Sequence, residues 1–366
     1  MGFSCGIVGL PNVGKSTLFN SLSSAKAEAQ NFPFCTIEPN VGIVPVPDPR
    51  LDSLVRLYQP KSTVPTTIRF VDIAGLVRGA SRGEGLGNQF LAHIREVDAI
   101  VQVVRCFEDE NITHVANKVD PVSDVETIET ELCLKDLDTA TKRFERAQKQ
   151  SKSGDPKEML AMRVAEKLVA HLDAGKSART LELGEKEAPI LEEMQLLTSK
   201  PTFFVANVDE ASLGNLEGNP HFVALRQLAV SRGARVAPIC ASLEAQIAEL
   251  EPADRPEFLA SAGLTEPGLY QVIRTGYELL GLITFLTAGE DECRAWTVRR
   301  GATAPEAAGV IHTDFQRGFI KAEVIWWQDL ITLKSEAKCR EAGKLSIEGK
   351  DYVVRDGDVM HFRFNV

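Results

Sequence analysis

The stretch Gly9-Leu10-Pro11-Asn12-Val13-Gly14-Lys15-Ser16 begins directly after the short apolar run Cys5-Gly6-Ile7-Val8. Two glycines, a lysine and a hydroxyl residue at these spacings are typical of a P-loop, whose backbone curls so that successive N–H groups surround a phosphate. The positive end of the following helix faces the same anion. We therefore predict a strand, a phosphate-binding loop and a helix, with Lys15 at the β- and γ-phosphates and the Ser16 hydroxyl on magnesium.

The length and composition of the chain suit a protein of two or three domains with cores of their own. The chain has 366 residues, of which 44% are hydrophobic and 25% charged. Its apolar runs are all far shorter than the roughly 20 residues of a membrane span, and its start lacks the pattern of a signal peptide. The seven cysteines are scattered without a C-x-x-C spacing, which argues against a disulfide framework or a zinc site. We expect a cytoplasmic protein without a membrane partner.

The charge distribution bears on nucleic-acid binding. A net charge of −10 disfavours indiscriminate binding to nucleic acid, because phosphate contacts need clustered Lys and Arg, and we expect no DNA partner. Residues 281–366 carry 12 Lys and Arg against 13 Asp and Glu, a net charge of only −1. The C-terminal part is therefore better suited than the rest to approach RNA.

Two segments after the P-loop resemble the nucleotide-sensing segments of switch proteins. Thr36 lies in the proline-flanked stretch 31–39, where a threonine can close over magnesium and the γ-phosphate, although it can equally be an ordinary surface residue. The apolar run Thr67–Val71 ends in Asp72 and is followed by Gly75. This order suits a carboxylate that holds magnesium and a backbone N–H that senses the γ-phosphate.

The base-recognition motif departs from that of GTPases. The apolar run 201–206 leads into Asn207-Val208-Asp209-Glu210, in which Val208 and Glu210 replace the lysine and the guanine-selecting aspartate of N-K-x-D. Loss of that hydrogen-bonding pair should remove guanine preference, so we expect ATP, although a shift of one residue would present Asp209 to a guanine. Asn117-Lys118-Val119-Asp120 reads as N-K-x-D, but it follows the preceding strand too closely for a crossover. The strand-like run 236–242 leads into a turn of small residues, which predicts that the backbone at Ala241 approaches the base. The alternative is that this run is a plain core strand followed by a turn.

The predicted fold class is α/β, with a mostly parallel sheet and helices on both faces in residues 1–280. Apolar residues at helical spacing in residues 121–200, with a break at Ser151–Pro156, predict an inserted α-helical hairpin. The run Leu269–Leu282 predicts a helix that leads out of this domain. Short alternating runs between residues 281 and 366, among them 294–298, 319–325 and 352–354, predict a small second sheet.

These motifs together resemble the Obg branch of the translation-factor P-loop proteins. The resemblance rests on G-L-P-N-V-G-K-S, on D-I-A-G-L-V and on G-A-S-R-G-E-G-L-G-N-Q-F-L, while N-F-P-F-C-T-I-E-P-N is similar to the YchF subfamily, the Obg-like ATPases. Residues 351–362 are similar to its C-terminal TGS domain, a β-grasp module. The resemblance implies Mg²⁺-dependent ATP hydrolysis and binding to the ribosome or its large subunit. It also implies contact with ribosomal or transfer RNA, for which Trp326, Trp327, Lys334 and Lys338 are candidates unless they pack in the core.

The resemblance also suggests how hydrolysis proceeds. Leu76 stands where many GTPases have a water-orienting glutamine, so turnover should be slow without a partner. The family implies that His114 is the substitute and that Asn12 helps to bind a potassium ion; a loop histidine without a role is the alternative. Cys35 adjoins Thr36, so its oxidation would hinder switch closure unless the thiol is inert. A GTPase of the same fold and a non-catalytic nucleotide-sensing ribosome adaptor remain the alternative functions.

The predicted site residues fall into three groups. The catalytic residues are His114 and Lys15. The metal ligands are Ser16, Thr36 and Asp72. The nucleotide-binding residues are Asn12, Val13, Gly14, Lys15, Ser16, Thr17, Gly75, Asn207, Val208, Glu210 and Ala241.

Overall fold

The computed structural model describes residues 3–24, 40–73, 86–114 and 118–365. The strands are β1 (Ser4–Val8), β2 (Val41–Pro45), β3 (Ser62–Val64), β4 (Thr67–Asp72), β5 (Ala99–Arg105), β6 (Thr202–Asn207), β7 (Val236–Ile239), β8 (Leu282–Ala288), β9 (Glu292–Arg299), β10 (Phe319–Trp326), β11 (Leu345–Glu348) and β12 (Asp358–Phe364). The helices are α1 (Lys15–Ser24), α2 (Pro49–Tyr58), α3 (Leu86–Glu96), α4 (Pro121–Gln150), α5 (Pro156–Asp173), α6 (Ala188–Glu193), α7 (Glu210–Leu213), α8 (Pro220–Ser231), α9 (Ala241–Glu249), α10 (Arg255–Ser261), α11 (Gly268–Leu279), α12 (Ala304–Ile311), α13 (Thr313–Arg317), α14 (Trp327–Leu333) and α15 (Glu336–Glu341).

The chain divides into two compact units. The first comprises residues 1–43 and 69–272, and the second comprises residues 44–68 and 273–366. The sequence predicted a single division at 280/281 and did not place residues 44–68 with the C-terminal part. The cause is long-range pairing: β3 pairs with β9 in parallel, and Leu51 and Leu54 of α2 are buried in one core cluster with Leu286 and Val359. No local signal in residues 44–68 predicts either contact.

The first unit has the predicted α/β architecture. Its sheet has the strand order β2-β4-β1-β5-β6-β7, and the pairs β4–β1, β1–β5, β5–β6 and β6–β7 are all parallel. Strand β5 is buried along its whole length, as expected for a mostly apolar strand in a sheet covered on both faces, and the burial includes its two polar residues, Gln102 and Arg105. The carboxyl ends of the parallel strands meet at one edge, where open α/β sheets bind ligands.

The predicted helical hairpin is confirmed. Helices α4 and α5 are each capped by an aspartate, Asp120 and Asp155, whose side chain accepts a backbone N–H of the first turn, and a proline opens each helix. Gly154 ends the turn between them with a φ of +78°, which a residue with a side chain rarely adopts. On α4, the fully buried Asp136 accepts hydrogen bonds from the backbone of Leu197 and Thr198, just before β6.

The second unit has the predicted small mixed sheet, with the order β11-β10-β12-β8-β9-β3. Strands β8 and β9 form an antiparallel hairpin, α12 follows them, and the last strand, β12, pairs in parallel with β8 at the centre. This is the β-grasp arrangement. The run 352–354, predicted as a strand, forms a single bridge between Thr303 and Val353. Trp327 packs against the core of this unit, whereas Trp326 is 38% exposed.

Candidate functional site

The P-loop connects β1 to α1 in the predicted strand–loop–helix order. Gly14 has a φ of +92°, and a Cβ at this position would clash with the side-chain amide of Asn207. Only glycine combines this backbone conformation with so close an approach. Asn12 also has a positive φ, +63°, and its Nδ2 donates to the carbonyl of Thr113 at 3.1 Å. The loop therefore contacts both the end of β6 and the segment that follows β5.

Lys15 and Asp72 meet at the carboxyl edge of the first sheet. The Lys15 Nζ lies 3.1 Å from Oδ1 of Asp72, and both side chains are largely buried, with 11% and 18% of their surface exposed. Asp72 is the last residue of β4, which pairs with β1, so neighbouring parallel strands bring the two groups together. Ser16 stands beside Lys15 with an exposed side chain. A hydroxyl and a carboxylate oxygen are ligands that suit Mg²⁺.

Asn207 joins the P-loop to the base side of the site. Its side chain is 4% exposed; Nδ2 donates to the carbonyl of Val13 at 2.9 Å, and Oδ1 accepts the N–H of Ala241 at 3.0 Å. The sequence predicted a contact with adenine and gave no sign of this bridge. One amide hydrogen and one lone pair remain after these two bonds, so the adenine contact stays a prediction.

The residues that follow Asn207 have separate environments. The Val208 side chain is 1% exposed and packs in a core cluster with Val104 and Phe204. Asp209 caps α7: its two carboxylate oxygens accept the backbone N–H and the hydroxyl of Ser212 at 2.8 and 3.0 Å. Glu210 is exposed at the start of that helix.

The loop after β5 is held by an arginine. Arg105 ends the strand, is 1% exposed, and directs its guanidinium to the carbonyls of three residues in the loop 106–112. Arg105 was not among the residues predicted from the sequence. The available signal was a cation at the end of a mostly apolar strand, at the sheet edge where ligands bind.

These elements enclose a cavity of about 520 Å³. Its walls come from the P-loop, from the loop after β5, from residues 207–210 and from the start of α9. The lining residues are Asn12, Gly14, Thr17, Phe107, Glu108, Asp109, Ile112, Asn207, Val208, Asp209, Glu210, Ala241 and Ser242. The structure thus brings seven of the predicted nucleotide-binding residues, including Thr17, to a single cavity of the size of ligand pockets.

His114 is buried rather than exposed in a loop. Its Nε2 lies 3.0 Å from Oδ2 of Asp124 on α4, and the two side chains are only 4% and 7% exposed. Burial raises the pKa of the Asp124 carboxyl, while the bond to His114 opposes that shift. Because Asn12 contacts the carbonyl of Thr113, the residue before His114, the P-loop and the hairpin helix are linked through this segment. Asp124 was not foreseen from the sequence.

Several predicted residues lie outside the described part of the chain. They are Thr36, Gly75, Leu76, Cys35 and Asn117. The six cysteines that the structure describes are all buried and free. Within the described residues, no helix is long and apolar enough to cross a membrane, and no cluster of three or more His, Cys, Asp or Glu side chains is placed to hold a metal.

The strand order, the P-loop and the Lys15–Asp72 pair define a P-loop nucleoside triphosphate-binding protein. A family profile described as "50S ribosome-binding GTPase" matches residues 4–136, and the profile YchF-GTPase_C, described as "Protein of unknown function (DUF933)", matches residues 282–365. The second match begins at β8, the first strand of the C-terminal sheet.

Full-length relatives establish the family. The chain is 57% identical to the "Ribosome-binding ATPase YchF" of Haemophilus ducreyi and 52% identical to that of Bacillus subtilis, in both cases over 100% of each chain. A solved structure, described as the Schizosaccharomyces pombe YchF GTPase, aligns with a TM-score of 0.88 at 37% identity and covers 99% of this chain and 98% of that one. The chain belongs to the YchF family.

Proposed function

We propose that this protein is a Mg²⁺-dependent ATPase whose nucleotide state governs its docking to the ribosome. One observation carries the proposal: the P-loop lysine and the strand-end carboxylate Asp72 lie at the same sheet edge as a cavity lined by Asn207 and Glu210. The curated bacterial relatives are named as ribosome-binding ATPases, and their names support both halves of the proposal.

The phosphate end is assigned to the P-loop and the residues around it. The backbone at Asn12–Ser16 and the N-terminus of α1 bind the phosphates, and Lys15 neutralises charge on the β- and γ-phosphates. Ser16, Thr36 and Asp72 hold Mg²⁺, with the Asp72–Lys15 pair at 3.1 Å supporting a common location. When bound, the metal stabilises charge that develops on the phosphate oxygens. The Asn12 Nδ2 donates to the Thr113 carbonyl, and the side-chain amide oxygen is the Asn12 atom that binds a potassium ion.

The residues on the base side of the cavity favour ATP over GTP as the substrate. Both oxygens of the Asp209 carboxylate cap α7, so presenting this carboxylate to a guanine would cost two hydrogen bonds. Glu210 takes the position of the guanine-selecting aspartate with a longer side chain. The names of relatives differ on this point, since the fission-yeast structure and the N-terminal profile are both described as GTPases. GTP is therefore the second candidate substrate.

A paired titration tests the base assignment. Mg²⁺-ATP and Mg²⁺-GTP are titrated by calorimetry into the wild type and into a Glu210→Asp variant, since Val208 is buried in the core and a lysine there would be an unpaired buried charge. We expect the wild type to prefer ATP and the variant to shift toward GTP. Glu217→Asp, an exposed carboxylate paired with Arg226 away from the cavity, is the matched control and should leave the preference unchanged. A wild type that already prefers GTP contradicts the assignment.

Hydrolysis is assigned to His114, held by Asp124. The His114 imidazole orients the attacking water, and Asp124 sets the orientation of the ring through the 3.0 Å contact. His114→Ala should lower single-turnover hydrolysis and leave ATP affinity unchanged. Turnover that equals the no-enzyme control, with and without ribosomes and with potassium in place of sodium, would instead support a non-catalytic nucleotide sensor.

Ribosome docking completes the proposal. The C-terminal β-grasp unit acts as a TGS module of a cytoplasmic protein, docks to the ribosome or its large subunit, and contacts ribosomal or transfer RNA. The exposed Trp326, Lys334 and Lys338 side chains are the candidates for stacking and phosphate pairing. Cosedimentation with ribosomes of the wild type and of a Lys334→Glu, Lys338→Glu variant is the test; equal binding removes these lysines from the interface.

A further inference from the structure

The buried guanidinium of Arg105 lies beside the candidate nucleotide cavity. Arg105 is the last residue of β5 and is paired in register with Asn207, the last residue of β6. The backbone N–H of Cys106 donates to the Asn207 carbonyl at 2.8 Å. The chain turns away from the sheet immediately after Arg105, so the conformation of residues 106–112 depends on what holds them there.

The guanidinium organises that loop through three acceptors. Nε donates to the carbonyl of Phe107 at 3.0 Å, Nη1 to that of Ile112 at 2.9 Å and Nη2 to that of Asp109 at 3.2 Å. The guanidinium carbon also lies 4.6 Å from the centre of the Phe107 ring. A cation that is 1% exposed requires compensation for its lost hydration, and here loop carbonyls and an aromatic face supply it.

The same loop residues form one wall of the cavity. Phe107, Asp109 and Ile112 all line it, together with Asn207 and Ala241. We propose that Arg105 is a positioning residue that shapes the base-side wall of the nucleotide cavity and thereby sets base discrimination. The inference rests on the proposed function in that it takes the cavity as the nucleotide site. Arg105 itself does not line the cavity.

The geometry requires an arginine. A guanidinium presents five N–H donors in a rigid planar fork, which lets one side chain reach three carbonyls that diverge around it. A lysine carries a single nitrogen and cannot reach the same three carbonyls from this position. A methionine of similar length would fill the space and leave three carbonyls without their donor.

The test compares Arg105→Lys and Arg105→Met with the wild type. Hydrogen exchange of the nucleotide-free protein reports the loop, and calorimetry gives the affinities for Mg²⁺-ATP and Mg²⁺-GTP. Arg105→Met should increase exchange within residues 107–112 and weaken ATP binding by about tenfold or more. The ratio of ATP to GTP affinity should fall toward one, because a disordered wall loses discrimination while the P-loop keeps its phosphate contacts. The exchange and the affinity ratio of Arg105→Lys should lie between those of the wild type and those of Arg105→Met.

Arg179→Met is the matched control. Arg179 is a partly buried arginine of the helical insertion, paired with Glu129 at 3.0 Å, and does not line the cavity. It should change neither the affinity ratio nor the exchange of residues 107–112. Equal losses of ATP and GTP affinity in the Arg105 variants, or an unchanged loop, would overturn the inference.

The same experiment distinguishes a failure of the proposed function from a failure of the role of Arg105. If Arg105→Met does not fold, Arg105→Lys decides by the same criteria. A wild type that binds neither nucleotide refutes the proposed function and the discrimination role together, whereas nucleotide binding with an unchanged ratio in the variants refutes the role of Arg105 alone.

Discussion

Replacing Asn207 with alanine tests the bridge between the P-loop and the base side. The substitution removes a 2.9 Å bond to the Val13 carbonyl and a 3.0 Å bond from the Ala241 N–H. Val13 and Ala241 are 1% and 4% exposed, so water cannot readily replace the lost partner. Each buried group left without a partner costs about 1–3 kcal/mol. We expect the free energy of unfolding to fall by about 2–4 kcal/mol, because some relaxation is shared between the two neighbouring sites.

The loss should also appear in nucleotide binding. Without the bridge, the loop that carries Gly14 loses its attachment to β6, and about 1.4 kcal/mol of lost preorganisation weakens binding tenfold. We expect ATP affinity to fall by about tenfold or more. The assays are calorimetric titration with Mg²⁺-ATP and unfolding in urea, both at fixed magnesium concentration.

Two variants serve as comparisons. Asn207→Asp keeps an acceptor for the Ala241 N–H but places a carboxylate oxygen against the Val13 carbonyl, so it should weaken ATP binding as well. Asn215→Ala removes an exposed cap of Gly218 and should cost about 1 kcal/mol or less, with no change in affinity. An Asn207→Ala protein that binds ATP within twofold of the wild type would refute the bridging role.

Three further predictions follow from single contacts. Gly14→Ala should abolish measurable ATP binding in the same titration, because Gly14 has a φ of +92° and the Asn207 side chain lies where a Cβ would be. The control Gly154→Ala, at a φ of +78° with open space around it, should only lower the melting temperature slightly, and similar ATP binding by both variants would contradict the prediction. Burial raises the pKa of the Cys5 thiol from 9.0 to about 12, so the thiol of the unfolded chain loses its proton at lower pH than that of the folded protein. The free energy of unfolding should therefore fall by about 1.4 kcal/mol per pH unit between pH 9.0 and about 12, and Cys5→Ala should lack this pH dependence in urea unfolding. Asp136→Ala should increase hydrogen exchange at Leu197 and Thr198 and destabilise the protein by about 3 kcal/mol, and unchanged exchange there would show that Asp136 does not hold the segment.

Local patterns in the sequence determined much of the architecture. The P-loop glycines, the apolar strands β1, β4, β5 and β6, and the helical hairpin all follow from signals read within a few residues. The hairpin is the clearest example, since Asp155 and Pro156 mark the start of α5 by themselves. Such features depend on backbone conformation and short-range hydrogen bonds, which neighbouring residues settle on their own.

The tertiary structure decided which distant groups share the site. Asn207 bonds to Val13 across 194 positions, and this contact exists only because strand order places the ends of β1 and β6 at one edge with β5 between them. The fold of the loop around Arg105, the pairing of His114 with Asp124 and the inclusion of residues 44–68 in the second unit have the same origin. A side chain's partner across the fold depends on strand register and helix packing, which only the assembled core determines. The phosphate-binding motif can therefore be recognised in residues 9–16 of the sequence alone, whereas the part of the cavity proposed to distinguish one base from another forms only when the chain folds.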